Sequence, residues 1–211
     1  MRDNPFLDGF AFVIGATNNH AVLGAWHYLF TAFTTLLIIA GLAIAITRWR
    51  DDPAQRTFYH LTLFAGRALI GAMWLEGSLW KLPLPSGGGL PYWLGLMGEN
   101  AAFPLYADVI NGLLIPHASL VSSIIWLTET TLAVSLILGL AVRPISLLGV
   151  AMSLNLWIGL YRFQPEWPWI YIFIAILHAF FIATRAGRSL GLDGIIAGSA
   201  TKNNVIRRWV I

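Results

Sequence analysis

The 211-residue chain is 57% apolar and only 11% charged, where a soluble domain carries about 25% charged residues. That composition predicts an integral membrane protein, and a net charge of +3 without a dense basic run gives no footing for nucleic acid. The sequence has no cysteine, which excludes disulfide exchange through its own thiols, a thiolate-held iron–sulfur cluster and c-type haem attachment.

Residues 1–20 hold one short apolar run, 10–14, preceded by Asp3 and Asp8. They read as an outer or interfacial segment, not a cleavable signal. Five apolar stretches follow at 21–47, 61–82, 118–140, 145–161 and 167–184. Each is close to the ~20 residues that cross a hydrocarbon core. Between the second and third lies a long loop, 83–116, with a glycine-rich turn (Ser86, Gly87, Gly88, Gly89) and an amphipathic run over 92–114 that carries Glu99 and Asp108. Loops of this length are often functional, so it is expected to be either a lid or re-entrant element, or a spacer with one interfacial helix. Residues 194–211 form a tail.

Loop charge predicts the orientation. Arg48, Arg50, Arg56, Arg143, Arg185, Arg188, Lys202, Arg207 and Arg208 fall on one side if the spans alternate, and only Arg2, Lys81 and Arg162 on the other. The richer side is the expected cytoplasm, with the N-terminus outside and the C-terminus inside. Trp80, Tyr92, Trp93, Tyr161, Trp167, Trp169 and Tyr171 crowd the outer boundary, against Trp49, Tyr59 and Trp209 inside. Interfacial anchoring explains such a belt, and the same rings could wall a site where a quinone stacks.

Arg67, Glu76, Glu129 and His178 interrupt the apolar stretches. Charge at mid-membrane is costly, so these residues are expected to face a bundle interior. At a rise of about 1.5 Å per residue, Arg67 lies roughly 20 Å deep, Glu129 roughly 17 Å, His178 roughly 16 Å, and Glu76 and Asn155 roughly 8–9 Å. An Arg67–Glu129 ion pair or a His178–Glu129 hydrogen bond is the expected way to lower the burial cost. Such a cluster is either a polar clasp that fixes helix packing or a quinone-binding, proton-handling site. A haem b held by His27 and His178 is a weaker reading, and His60 and His117 lie at opposite faces. No span shows paired metal ligands at helical spacing, so no metal site is expected. Lys81 closes the second span, where it would snorkel to the interface or attract an anionic substrate or a quinone oxygen.

Several segments carry a family likeness. Gly66–Arg67–Ala68–Leu69–Ile70–Gly71 and Glu76–Gly77–Ser78–Leu79–Trp80–Lys81–Leu82 resemble the first conserved helix of the DoxX/DoxD family. Glu129, with the run from Leu136 to Arg143, is similar to the family's third-helix acid and its Gly-Leu-x-x-Arg exit. Ala186–Gly187–Arg188–Ser189–Leu190–Gly191–Leu192–Asp193 is similar to its closing Gly-x-x-Ser-Leu-x-x-Asp signature. The resemblance implies an all-α four-helix membrane bundle over 61–193, here with one additional N-terminal transmembrane helix at 21–47. It also implies a link to thiosulfate:quinone oxidoreductases, which oxidise thiosulfate to tetrathionate and pass electrons to quinone. The fused DoxA domain of some relatives does not follow the bundle, so a DoxA-like partner is expected as a separate chain.

The resulting expectation is a DoxD-like subunit of a quinone-linked oxidoreductase complex in a prokaryotic cell membrane, a subunit of a thiosulfate dehydrogenase (quinone) if it is an enzyme component at all. Glu129, His178 and Arg67 would organise the quinone site, Glu76 and Lys81 its outer mouth, Asn155 its wall, and Trp80 and Trp157 its stacking surfaces. The rival expectation is a non-catalytic accessory subunit of a larger respiratory or photosynthetic assembly. A small transporter fits less well, since no inverted repeat is visible.

Overall fold

The computed structural model describes residues 4–17, 23–81 and 89–199. Most of the glycine-rich turn (86–88), Leu82, Arg2 and the basic end of the tail (200–211) lie outside the described residues. The described chain is helical, with no strand. Helix α1 (Pro5–Val13) begins at Asn4, whose side chain accepts the Phe6 and Leu7 amides. Five longer helices cover the five apolar stretches: α2 (Ala25–Asp51), α3 (Phe58–Leu79), α6 (Ala118–Leu138), α7 (Val142–Gly159) and α8 (Trp169–Thr184). Within the 83–116 loop, the described residues form α4 (Gly89–Asn100) and α5 (Pro104–Val109), and a π-helical turn (Ile110–Leu114) follows α5. A short α9 (Leu192–Ser199) ends the described chain.

Three of these helices, α2, α6 and α7, are long and apolar enough to cross a membrane. The chain is therefore a helical membrane protein. Helix α8 is equally apolar but has 16 residues, and α3 has 22 residues that include Arg67 and Glu76.

Two tightly packed pairs, α3 with α6 and α7 with α8, make the bundle, and α2 lies against α3 and α6. In a membrane, close helix approach depends on small residues more than on expulsion of water, and the contacts follow that rule. A Cβ on Gly41 of α2 would sit 2.9 Å from the Ile137 carbonyl oxygen, and one on Gly71 of α3 would sit 3.1 Å from that of Ala133. On α7, a Cβ at Gly149 would meet the His178 ring at 2.3 Å, so this glycine makes room for the imidazole. Leu75, Leu132, Leu136, Ile137 and Phe181 fill the space between the pairs.

One end of the bundle is closed by polar bonds. Helix α6 stops at Gly139, which has φ +69°, and the Leu140 amide bonds back to the Ser135 carbonyl at 3.0 Å. The two Asp193 carboxylate oxygens accept the Ala141 and Val142 amides at 2.7 and 3.1 Å, so they cap α7. The Asp193 amide in turn donates to the Gly139 carbonyl at 2.8 Å. Here the 186–193 segment folds back onto the α6–α7 turn.

Candidate functional site

The buried charged groups that hold the bundle together gather at its two ends. At the closed end, the fully buried Arg67 guanidinium donates to the Leu136 carbonyl and, at 2.8 Å, to the Ser189 carbonyl. Ser189 also bonds His60 Nδ1 through its hydroxyl at 2.8 Å, and the Gln55 side chain accepts the Leu190 amide at 3.0 Å. Arg67 thus satisfies a carbonyl that α6 leaves open at its C-terminus. This is a structural clasp.

At the other end, Lys81 donates to Glu129 in an ion pair in which Glu129 is 1% exposed and Lys81 9%. The Lys81 ammonium also lies 4.9 Å from the centroid of the Trp80 ring, a cation–π distance. Ser122 of α6 donates its hydroxyl to the Lys81 carbonyl, which pins the end of α3 against α6. The second Glu129 oxygen, Oε2, is buried and has no hydrogen-bond partner among the described residues.

That ion pair forms the floor of a cavity of about 530 Å3. Leu90, Leu94 and Met97 of α4, spaced to share one helix face, are buried over it as a roof. Trp80 and Trp93 stand in its wall with ring centroids 6.1 Å apart. Its polar features besides the ion pair are Asn155, which accepts the Tyr106 hydroxyl, and Glu166, which accepts the Tyr171 hydroxyl. Burial pushes the Tyr106 hydroxyl pKa up, so the hydroxyl stays neutral and serves as a donor. Backbone bonds fasten the end of α4 and the α4–α5 turn to the last turn of α7 and the connection that follows it: Ala102 N to the Ile158 carbonyl at 2.8 Å, and Arg162 N to the Asn100 carbonyl at 3.0 Å. The described part of the long loop is therefore docked against the bundle.

A second cavity of about 380 Å3 lies between α3 and α8. It shares Lys81, Glu129, Leu156, Glu166 and Tyr171 with the first, so the two meet at the ion pair.

The expected Arg67–Glu129 ion pair and His178–Glu129 hydrogen bond do not form. Sequence depth placed Lys81 at the interface because it assumed that Ala118 marks the level at which α3 ends. The Ser122–Lys81 bond shows that the two helices meet one turn further along α6. From that level Glu129 is seven residues away, about 10 Å, within reach of a lysine side chain. Arg67 lies fourteen residues from Lys81, level with Leu136 and two turns beyond Glu129.

His178 does share the level of Glu129, but it faces α3 and α7. Its Nε2 accepts the Trp74 indole N–H at 2.9 Å, and Nδ1 has no hydrogen-bond partner among the described residues. Glu76 points to the opposite side of α3 from the ion pair and accepts the Thr17 hydroxyl at 3.0 Å. Trp157 packs edge-on against Tyr161 at 5.9 Å and lines neither cavity. Of the expected site residues, Glu129, Lys81, Trp80 and Asn155 come together. Arg67, His178, Glu76 and Trp157 do not join them.

Sequence reasoning offered Trp93 as a wall residue and the loop as a possible lid, but missed which residues of α4 form the roof and the Tyr171–Glu166 and Tyr106–Asn155 bonds. The spacing of Leu90, Leu94 and Met97 was a usable sign of the roof. No cluster of three or more metal-ligating side chains occurs among the described residues. No protein-family model matches the sequence, and neither curated proteins nor solved structures give a match.

Proposed function

We propose that this chain is a DoxD-like membrane subunit that binds a quinone in the α4-roofed cavity, within a complex that transfers electrons to the membrane quinone pool. The observation that carries the reading is the buried Lys81–Glu129 pair at the floor of an aromatic, mainly apolar chamber of about 530 Å3. Ligand pockets are concave, mostly apolar and furnished with a few placed polar groups, and a quinone head group is a flat ring with two carbonyl acceptors. Trp80 and Trp93 supply faces for the ring. The Lys81 ammonium has three N–H donors, of which Glu129 takes one, leaving donors for a quinone carbonyl.

Reduction of a quinone to a quinol takes two electrons and two protons. In the chemistry that the family resemblance implies, two thiosulfate ions release the electrons as they couple to tetrathionate on a separate, DoxA-like chain. The role of this chain's residues is to hold the acceptor and carry protons: the Lys81 ammonium donates a proton to the quinone oxygen that it holds, and the Glu129 carboxylate takes up and relays the proton that replaces it.

In this reading α3, α6, α7 and α8 form a four-helix membrane bundle and α2 an additional span. The Lys81 end with its lid faces outward, and the arginine-rich Arg67 end faces the cytoplasm of a prokaryotic cell. Purified protein is expected to bind a quinone analogue saturably. Glu129→Gln is expected to slow quinone-linked turnover of the intact complex by about 100-fold or more, the scale of general acid catalysis, while the subunits still co-purify. Unchanged turnover in Glu129→Gln, or loss of assembly as its only effect, would instead favour an accessory subunit.

A further inference from the structure

We propose that the gap between α3 and α8 is a lateral portal from the lipid phase, in which the apolar chain of a membrane-soluble quinone lies while its head group reaches the Lys81–Glu129 pair. This inference rests on the quinone reading above and adds the route and the part of the ligand that fills the second cavity.

Four observations converge on it. Met73, Trp74, Gly77 and Lys81 recur at three- and four-residue spacing, so one stripe of α3 runs from the gap to the ion pair. Ile170 and Ile174 of α8 face that stripe from across the gap. The two helices lack the side-by-side packing that joins α3 to α6 and α7 to α8. They are tied by the Trp74–His178 hydrogen bond, and nearer the closed end a Cβ on Gly66 would only touch the Phe181 ring, at 3.8 Å. Towards the Lys81 end a space of about 380 Å3 separates them, with the exposed side chains of Trp167 and Ile170 at its margin.

The second feature is Gly77. A Cβ there would have no described atom within 4 Å, whereas Cβ atoms at Gly41 and Gly71 would press on neighbouring backbone. Packing therefore does not explain this glycine, but an open passage does. Inside the passage, the buried Glu129 Oε2 without a partner marks a polar endpoint shared by both cavities. A ligand that fits must be apolar along its length and polar at one end. A prenylated or alkylated quinone has that form.

The test compares wild type, Gly77→Trp and Gly77→Leu in lipid nanodiscs, with two probes: a decyl-substituted benzoquinone and its chainless parent. Wild type is expected to bind the decyl compound more tightly than the parent. Gly77→Trp is expected to weaken the decyl compound by about tenfold or more, which corresponds to about 1.4 kcal/mol. It should leave the parent within about twofold, and Gly77→Leu should act in the same direction more weakly. Gly77→Leu also guards against a tryptophan that disturbs folding, since a leucine there meets no neighbour within the Cβ shell.

Equal loss of both probes, or no loss of either, would overturn the portal and leave the quinone site standing. Equal affinity of wild type for the two probes would also overturn it, because the apolar chain would then gain nothing from the gap. If wild type binds neither probe, the quinone reading itself fails and the portal falls with it, before any variant is compared.

Discussion

The Lys81–Glu129 pair makes a quantitative prediction about stability alone. Two unit charges in contact at about 3 Å attract by roughly 5–6 kcal/mol at an effective dielectric constant near 20, and desolvation offsets most of that gain. The net worth of the pair is therefore small, but the cost of breaking it is not. Lys81→Met leaves a carboxylate that is 1% exposed, with Oε2 already unpartnered and Oε1 newly so. An uncompensated buried charge costs about 3–5 kcal/mol, or a fall in melting temperature of roughly 6–20 °C for a chain of this length. Glu129→Leu is expected to cost a similar amount because it strands the ammonium. The double variant Lys81→Met/Glu129→Leu removes both charges and is expected to return to within about 1 kcal/mol of wild type. Thermal unfolding of the four proteins in one detergent gives the coupling directly. Single-variant losses that simply add, within about 0.5 kcal/mol, would refute the buried pair.

Three further expectations concern the closed end and the helix packing. Arg67→Ala removes charge-assisted bonds to two carbonyls, worth about 1.5–3 kcal/mol each, and Arg67→Lys is expected to rescue less than half of the loss because one ammonium lacks the guanidinium fork; full rescue by lysine would count against the clasp. Gly149→Ala pushes a methyl group into the His178 ring and is expected to cost about 1–3 kcal/mol, seen as a lower melting temperature that His178→Ala added in the same chain partly restores. Burial, opposed by the Val142 and Ala141 amides, Arg67 and Arg188, raises the Asp193 carboxyl pKa above its ordinary value. A carboxyl raised on folding contributes stability that is fully present below the unfolded value of about 3.9 and is lost as pH rises through the folded value. Melting temperature followed upward from about pH 4 is thus expected to fall more steeply in wild type than in Asp193→Asn, and parallel curves would contradict it.

Much of the helical framework is legible in the sequence because each long helix is an apolar run bounded by arginine, proline or glycine. The predicted stretches and the observed helices differ by a few residues at their ends. The site is less legible, for a geometric reason. Depth along a helix can be counted, but the relative height of two helices is set by a contact, here Ser122 against the Lys81 carbonyl. Sliding α6 by one turn relative to α3 changes the partner of Glu129 from Arg67 to Lys81. Which way a side chain faces is equally hidden: His178 sits at the right height, but Gly149 draws its ring towards α7 and Trp74 holds its Nε2. The α4 roof was readable as an amphipathic run, and its docking on the α7–α8 connection was not, since backbone bonds leave no mark on side-chain pattern.

The position of the family-like motifs then separates architecture from chemistry. Arg67, the Gly139–Arg143 turn and the Ser189–Asp193 segment all meet at the closed end, where Arg67 and Asp193 satisfy the carbonyls and amides left over by α6 and α7. Any chain with this helix arrangement needs such groups there, whatever it does at the other end. Lys81 and Glu129 stand in a different relation to the fold. Two apolar side chains would close that end at no electrostatic cost, and buried ion pairs are weak evidence of stabilisation. In the proposed reading, a ligand that uses the pair is the reason to keep it between two cavities. The chemistry of this protein is therefore to be sought at the Lys81 end, and variants at the Arg67 end are expected to change stability without changing ligand affinity.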